Sequence, residues 1–173
     1  MQVSVKNNKD KAVEVDFLMS DFTHFDNDGN AVMVDVGDKK KTKRQAEAVG
    51  SISMSGECFK MICQGTVKKG DVLSIARIAG IMAVKQTGTL IPLCHNISVD
   101  SASINFKLND NDNTISASCI VKTTGCTGVE MEALTGVSIA LLTIYDMCKS
   151  IDRCMKINNV YLVKKSGGKS EIH

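Results

Sequence analysis

GVEMEALTGVSIALLTIYDMCKSI, residues 128–151, reads as one long helix, and the rest of the chain is organised around it. Glu130 and Glu132 stand in its first turn, where the helix dipole favours negative charge. The middle, Val137 to Tyr145, is almost wholly apolar, as in a helix covered on most sides. Asp146 and Lys149 then follow three residues apart, so they share a face near the C-terminal end. The same row runs back through Leu142, Ile139 and Thr135 to Glu132. On spacing alone the pair reads as a solvated ion pair, common on surfaces and weak. A polar group at each end of an apolar seam also suits a helix that both builds a core and lines a site.

Just upstream, Lys122 to Gly128 (KTTGCTG) is a Gly-rich loop whose backbone N–H groups could hold an oxyanion or phosphate at the helix N-terminus. Before it, residues 104–108 and 115–121 alternate apolar and polar around the turn formers of 109–113, which predicts a β-hairpin. Earlier, Asp71 is a good N-cap for a helix over about Val72 to Gln86, with apolar residues at 72, 75, 76, 79, 82 and 83. Gly80 inside that helix costs stability, so it marks a point of close packing. A turn or two of helix is expected over Glu57 to Gln64, and a strand over Ser51 to Ser55. The only proline, Pro92, restricts Ile91 to an extended form in LIPLCH (90–95). A histidine such as His95, just after an apolar segment, is more often a satisfied core residue than a catalyst.

Downstream, Val160 to Val163 forms a final strand, and KKSGGKS (164–170) is a cationic tail. Its Gly-Lys-Ser ending is not a P-loop, because Val163 stands where the first glycine is needed and no helix follows. The basic run Lys39 to Arg44 reads as a solvated loop, with a nucleic-acid patch or an anion-binding loop as the functional alternatives. Residues 24–30 resemble a calcium loop only in part, since His24 replaces the first acidic ligand and the closing Glu is missing. The order strand, helix, strand, strand, helix, strand is the split βαβ arrangement of ferredoxin-like α+β folds. The expectation is a four-stranded antiparallel sheet with two long helices on one face. The other face must then meet water or a partner subunit.

The 173 residues suit one domain, and the expected boundaries are an extension over 1–18 and a single domain over 19–173. A net charge of +2 means that any anion site must come from local clustering. Seven cysteines without a C-x-x-C pair give no zinc signal, and the odd count points to reduced thiols and a cytoplasmic setting. No uninterrupted apolar run approaches the ~20 residues of a membrane span. The unusual residues are Arg44, Lys69, His95, Glu130, Glu132, Asp146, Lys149 and Lys169, a set suited to acid–base chemistry on a phosphorylated substrate. No metal ligand set and no nucleophile–base arrangement can be read from their order.

Four segments carry a resemblance. MVDVGDKKKTKRQA (33–46), KKGDVLSIARIAGIMAVKQTGTLIPLCH (68–95), KTTGCTGVEMEALTGVSIALLTIYDMCK (122–149) and KSGGKS (165–170) are similar to the signature segments of the molybdenum cofactor biosynthesis protein C family, the cyclic pyranopterin monophosphate synthases. The resemblance runs from about Phe22 to Ser170. It implies conversion of a 3′,8-cyclic dihydro-GTP intermediate into cyclic pyranopterin monophosphate with release of pyrophosphate. It also implies a hexamer built as a trimer of dimers, with sites at subunit interfaces and no nucleic-acid or membrane partner. By motif match, Asp146, Lys149 and Lys69 take catalytic positions. Leu93, Cys94, His95, Met131 and Glu132 take substrate-contacting positions, with Glu130 beside them. Arg44 matches an arginine expected near the triphosphate, and Lys169 a supporting cation. No cofactor is called for beyond Mg2+ accompanying the triphosphate.

Asn96 replaces the proline usual after LCH, Glu171 replaces the glycine usual after SGGKS, and residues 1–18 have no counterpart. Two other readings stay open: an RNA- or nucleotide-binding module using 39–44, and an inactive homologue that keeps the assembly. Scarce sheet aromatics weigh against the first, and the intact Lys69, Asp146 and Lys149 set against the second. On one helix, Glu132 and Asp146 are too far apart for one small reacting centre, so one helix is expected to serve more than one site, with a second subunit completing each.

Overall fold

The computed structural model describes residues 28–168 and Ile172. The chain divides into two units, residues 1–34 and 35–173, and the fold lies in the second. The element order is β1 (Thr42–Ser53), α1 (Gly56–Cys63), α2 (Val72–Leu90), β2 (Ser101–Asn109), β3 (Thr114–Gly125), α3 (Glu130–Cys148) and β4 (Lys156–Ser166). The sheet order is β2-β3-β1-β4, and every neighbouring pair is antiparallel. This is the ferredoxin-like α+β arrangement expected from the sequence.

The sheet carries its helices on one face. Ala46, Ala48, Gly50 and Ile52 of β1 alternate with half-exposed residues and turn inward, as do Ile115, Ala117, Cys119, Val121 and Thr123 of β3. They meet a buried stripe of α3: Ala133, Val137, Ala140, Leu141 and Ile144. Small residues dominate β1 because α3 lies close over it; a Cβ on Gly50 would stand 2.8 Å from Leu141 Cδ1. β1 therefore runs well beyond the expected 51–55, and it takes in Thr42 to Arg44 of the basic run. α2 also extends past its sequence signal, to Leu90, and β3 to Gly125, so most of the 122–128 loop is strand; α3 is shorter than the expected 128–151, beginning at Glu130 and ending at Cys148.

α2 and α3 pack on each other at two glycines. A Cβ on Gly80 would overlap the Ile104 methyl and come within 2.8 Å of the Gly136 carbonyl oxygen, while one on Gly136 would meet Cys119 Sγ and Val84 Cγ2 at 2.7 Å. Gly80→Ala gains about 1 kcal/mol of helix propensity. It must also push two backbones apart, a cost of about 1–3 kcal/mol or more. The expected result is a lower unfolding midpoint in urea with an unchanged m-value. A midpoint at or above wild type would mean that the helices are not held at this contact.

α3 is long and apolar enough to cross a membrane, but half of it is buried inside the protein, the condition of a core helix. All seven cysteines are free thiols. Burial pushes the Cys58 and Cys119 thiols up to about 12, so neither is a reactive thiolate at neutral pH.

Candidate active site

The two ends of α3 carry two separate groups of polar side chains. At the C-terminal end, Asp146 is the hub. Its Oδ1 lies 2.7 Å from Lys149 Nζ, and its Oδ2 lies 3.4 Å from Lys69 Nζ. Lys69 Nζ also donates to the Asp146 main-chain oxygen at 2.7 Å. Lys69 arrives there from the turn before α2, closed by the Gly70 N–H donating to Val67 O at 3.0 Å. Gly70 has φ +100, a conformation that glycine adopts without strain. Asp71 then caps α2, as expected, by accepting from Ser74 N at 3.0 Å. Tyr145, Ser150 and Arg153 join Lys69 and Lys149 around a depression of about 490 Å³. None of these three was singled out from the sequence; Arg153 lies in the loop after α3, where no periodicity reports on direction.

At the N-terminal end, Glu130 pairs with Lys165 of β4 at 3.0 Å, both partly buried. Val129 precedes the helix without a side-chain cap. The Glu130 carboxylate folds back over Gly128, so the chain's own anion lies over the loop read as an oxyanion holder. Arg44 donates from Nε to Gly125 O and from Nη2 to Cys126 O, each at 3.0 Å. It thus pins the loop that leads into α3 and keeps three N–H donors for other partners. Beside it, Thr42 Oγ1 donates to Gly167 O at 2.9 Å, which brings the start of the SGGKS segment onto β1. Leu93, Cys94 and His95 are half-buried in the connection after α2, and Met131 is 38% exposed. Lys169 lies outside the described residues.

The described structure thus brings Lys69, Asp146 and Lys149 together, and separately Glu130, Glu132 and the Cys94 loop. Sixteen residues separate Glu130 from Asp146, a distance of about 24 Å along the helix axis at ~1.5 Å per residue. Among the described residues, no group of three His, Cys, Asp or Glu side chains comes together to hold a metal ion.

Comparison with known proteins identifies the family. The sequence model of the MoaC family matches residues 33–168. The chain belongs to the MoaC family. Two curated relatives are a cyclic pyranopterin monophosphate synthase of Thermoanaerobacter sp. (strain X514) and one of Clostridium botulinum (strain Alaska E43 / Type E3). The first is 55% identical over 151 residues, covering 87% of this chain and 96% of the relative. The second is 56% identical over 149 residues, covering 86% and 94%.

In this MoaC-family protein the charges at the two ends differ in kind. Lys149 is held above its ordinary range by the hydrogen bond it donates to the Asp146 carboxylate and by that carboxylate's negative charge. Asp146 is held below the usual carboxylate range by Lys149, then by Lys69. For Lys149 the carboxylate at 2.7 Å sets the direction, against a smaller lowering from loss of solvent. At the other end Glu132 is only 3% exposed. Burial pushes its carboxyl up, and the nearby Glu130 charge adds to this, against a hydrogen bond from its own backbone. The Cys94 thiol is raised by burial and by Glu132, which places the LCH loop beside this carboxyl.

Glu132 has a consequence for stability. Its folded-state proton affinity exceeds that of the unfolded chain, whose value lies near 4.5. The folded state therefore binds more protons just above that pH, and stability falls as pH rises through the window between the two values. Glu132→Gln is expected to match wild type near pH 4 and to unfold at a higher temperature at pH 8. Thermal unfolding across this range checks it; parallel curves for the two proteins would contradict the raised carboxyl.

Proposed function

We propose that this protein is a cyclic pyranopterin monophosphate synthase of molybdenum cofactor biosynthesis. It converts (8S)-3′,8-cyclo-7,8-dihydroguanosine 5′-triphosphate into cyclic pyranopterin monophosphate and releases pyrophosphate. The observation that carries the reading beyond family membership is the Lys69–Asp146–Lys149 contact, which joins two segments 77 residues apart. A lone surface ion pair does not need a turn glycine and a helix cap to deliver its second lysine.

The reaction has two demands. The purine-derived ring rearranges to a pterin through proton transfers, and a ribose oxygen attacks the α-phosphate as pyrophosphate leaves. Lys149, held protonated by Asp146, supplies a fixed positive charge and a proton donor at neutral pH. Lys69 is the second lysine, placed on the same carboxylate. A bound triphosphate competes with Asp146 for both ammonium groups, so substrate binding itself can release them. Arg44 and Lys165 are the cations of the other end, with Glu130 and Glu132 as hydrogen-bonding partners for the base. Any Mg2+ accompanying the triphosphate would be held by phosphate oxygens rather than by a protein cage.

One subunit's two groups, about 24 Å apart along α3, do not form a single reacting centre. We therefore assign each site to two subunits of a homo-oligomer, a hexamer built as a trimer of dimers. Exposed apolar side chains support burial against other copies. α2 presents Ile75, Ile78 and Met82 at helical spacing, and α3 presents Leu142. The protein acts in the cytoplasm. The test is incubation with the cyclic intermediate, with pyrophosphate and a fluorescent pterin derivative as the products assayed. Folded protein that releases no pyrophosphate would overturn the assignment.

A further inference from the structure

Arg153 differs from the two lysines that share its depression. Lys69 and Lys149 are both in contact with Asp146, whereas among the described residues no carboxylate pairs with Arg153. Its side chain is exposed and lines the same depression. Its backbone, in contrast, is fixed from several sides. The Tyr145 hydroxyl donates to the Arg153 carbonyl at 3.2 Å. On one flank, Asp152 Oδ2 accepts from Ser55 N at 2.7 Å, tying the loop to the start of α1. On the other, Asp152 Oδ1 accepts from Cys154 N at 2.7 Å. The Asp152 carboxyl is held below its ordinary range by these N–H donors, so the brace persists into mildly acidic solution.

A solvated surface arginine needs no such brace. A guanidinium on a fixed backbone loses less freedom on binding, and its planar fork matches two oxygens of a phosphate. The carboxylate between the two lysines leaves the depression with one cation that has no internal anion to displace. We propose that Arg153 is a substrate-anchoring residue, which holds the phosphate chain of the substrate and then the departing pyrophosphate beside Lys69 and Lys149. The identity of the anion rests on the synthase reading; the anion site itself does not.

The test pairs Arg153→Ala with Arg153→Lys and measures pyrophosphate binding by calorimetry, KM and kcat with the cyclic intermediate, and the thermal unfolding midpoint. Arg153→Ala is expected to weaken pyrophosphate binding and raise KM in parallel, each about 10- to 100-fold. The unfolding midpoint stays at the wild-type value and kcat changes much less. Arg153→Lys recovers part of the loss, because it keeps the charge and loses the fork. Pyrophosphate binding that is equal in wild type and Arg153→Ala, or too weak to detect in wild type, overturns the anchor. So does a loss of kcat with pyrophosphate affinity intact. Arg153-dependent binding without turnover would keep the anchor and sink the synthase reading, whereas normal turnover with Arg153-independent binding would do the reverse.

Discussion

Asp146→Ala is expected to lower kcat by about 10²- to 10⁴-fold, the range set by a positioned proton-transfer or charge-stabilising group. Three contacts converge on this residue. Two go through its carboxylate, to Lys149 at 2.7 Å and Lys69 at 3.4 Å, and are lost in the variant. The third goes to its main-chain oxygen and survives. Lys69 then stays near the helix end, but two ammonium groups face each other without a counter-charge. Like charges disfavour the protonated form, so Lys149 loses its raised proton affinity. The sign is fixed. Any residual activity that needs protonated Lys149 falls off at a lower pH than in wild type. Asp146→Asn should behave in the same way, because the amide keeps the shape and loses the charge. The pH dependence of kcat for both variants checks this. A basic limb at the wild-type position would mean that Asp146 does not set the lysine's charge.

The second large effect concerns the two lysines. Lys69→Ala and Lys149→Ala are each expected to reduce kcat by about 10²- to 10⁴-fold. The two losses should be far from additive, because both lysines act through one carboxylate and one substrate. Arginine separates charge from proton transfer. A guanidinium keeps the positive charge but does not deprotonate in proteins. If a lysine transfers a proton, its Arg variant stays near the Ala variant; if it only neutralises phosphate, Arg recovers much of the rate. Both Ala variants turning over at the wild-type rate would remove the catalytic assignment altogether. Their folding should be little affected, since both side chains are about half exposed and exposed pairs contribute little to stability.

The fold was legible where the period is strong. α3, α2 with its Asp71 cap, and the β2–β3 hairpin all follow their apolar spacing. β1 was read short for a physical reason. Ala46, Ala48 and Gly50 are inward-facing, but they are small because α3 sits close above them, so the alternation carries little hydrophobic contrast. The basic residues ahead of them hid the start of the strand further. Gly80 was readable as a packing point, though its partner, Gly136 on α3, comes only from the tertiary structure.

The site was legible in its local parts. Asp146 and Lys149 show themselves at i,i+3, yet the same spacing occurs in solvated pairs. What distinguishes them is Lys69, and a contact across 77 residues leaves no trace in local spacing. Resemblance supplied what spacing could not. Arg153 escaped both, because its placement depends on the Tyr145 and Asp152 hydrogen bonds rather than on any periodic pattern. Glu132 looked like a favourable charge in a first turn; its burial shows only when the LCH loop is folded beside it.

In the proposed homo-oligomer one α3 helix serves two sites, each completed by another copy of the chain. Co-expression of Asp146→Ala, defective at one end of the helix, with His95→Ala, altered in the loop beside the other end, tests it directly. Each variant is expected to be inactive when purified alone. In a mixed assembly, a site that takes Asp146 from one subunit and His95 from the other is intact in about a quarter of random pairings. The purified mixture is therefore expected to release pyrophosphate from the cyclic intermediate at about a quarter of the wild-type rate per site. A mixture no more active than its parents, with mixed assemblies demonstrated by mass, would show that each site is built within one subunit.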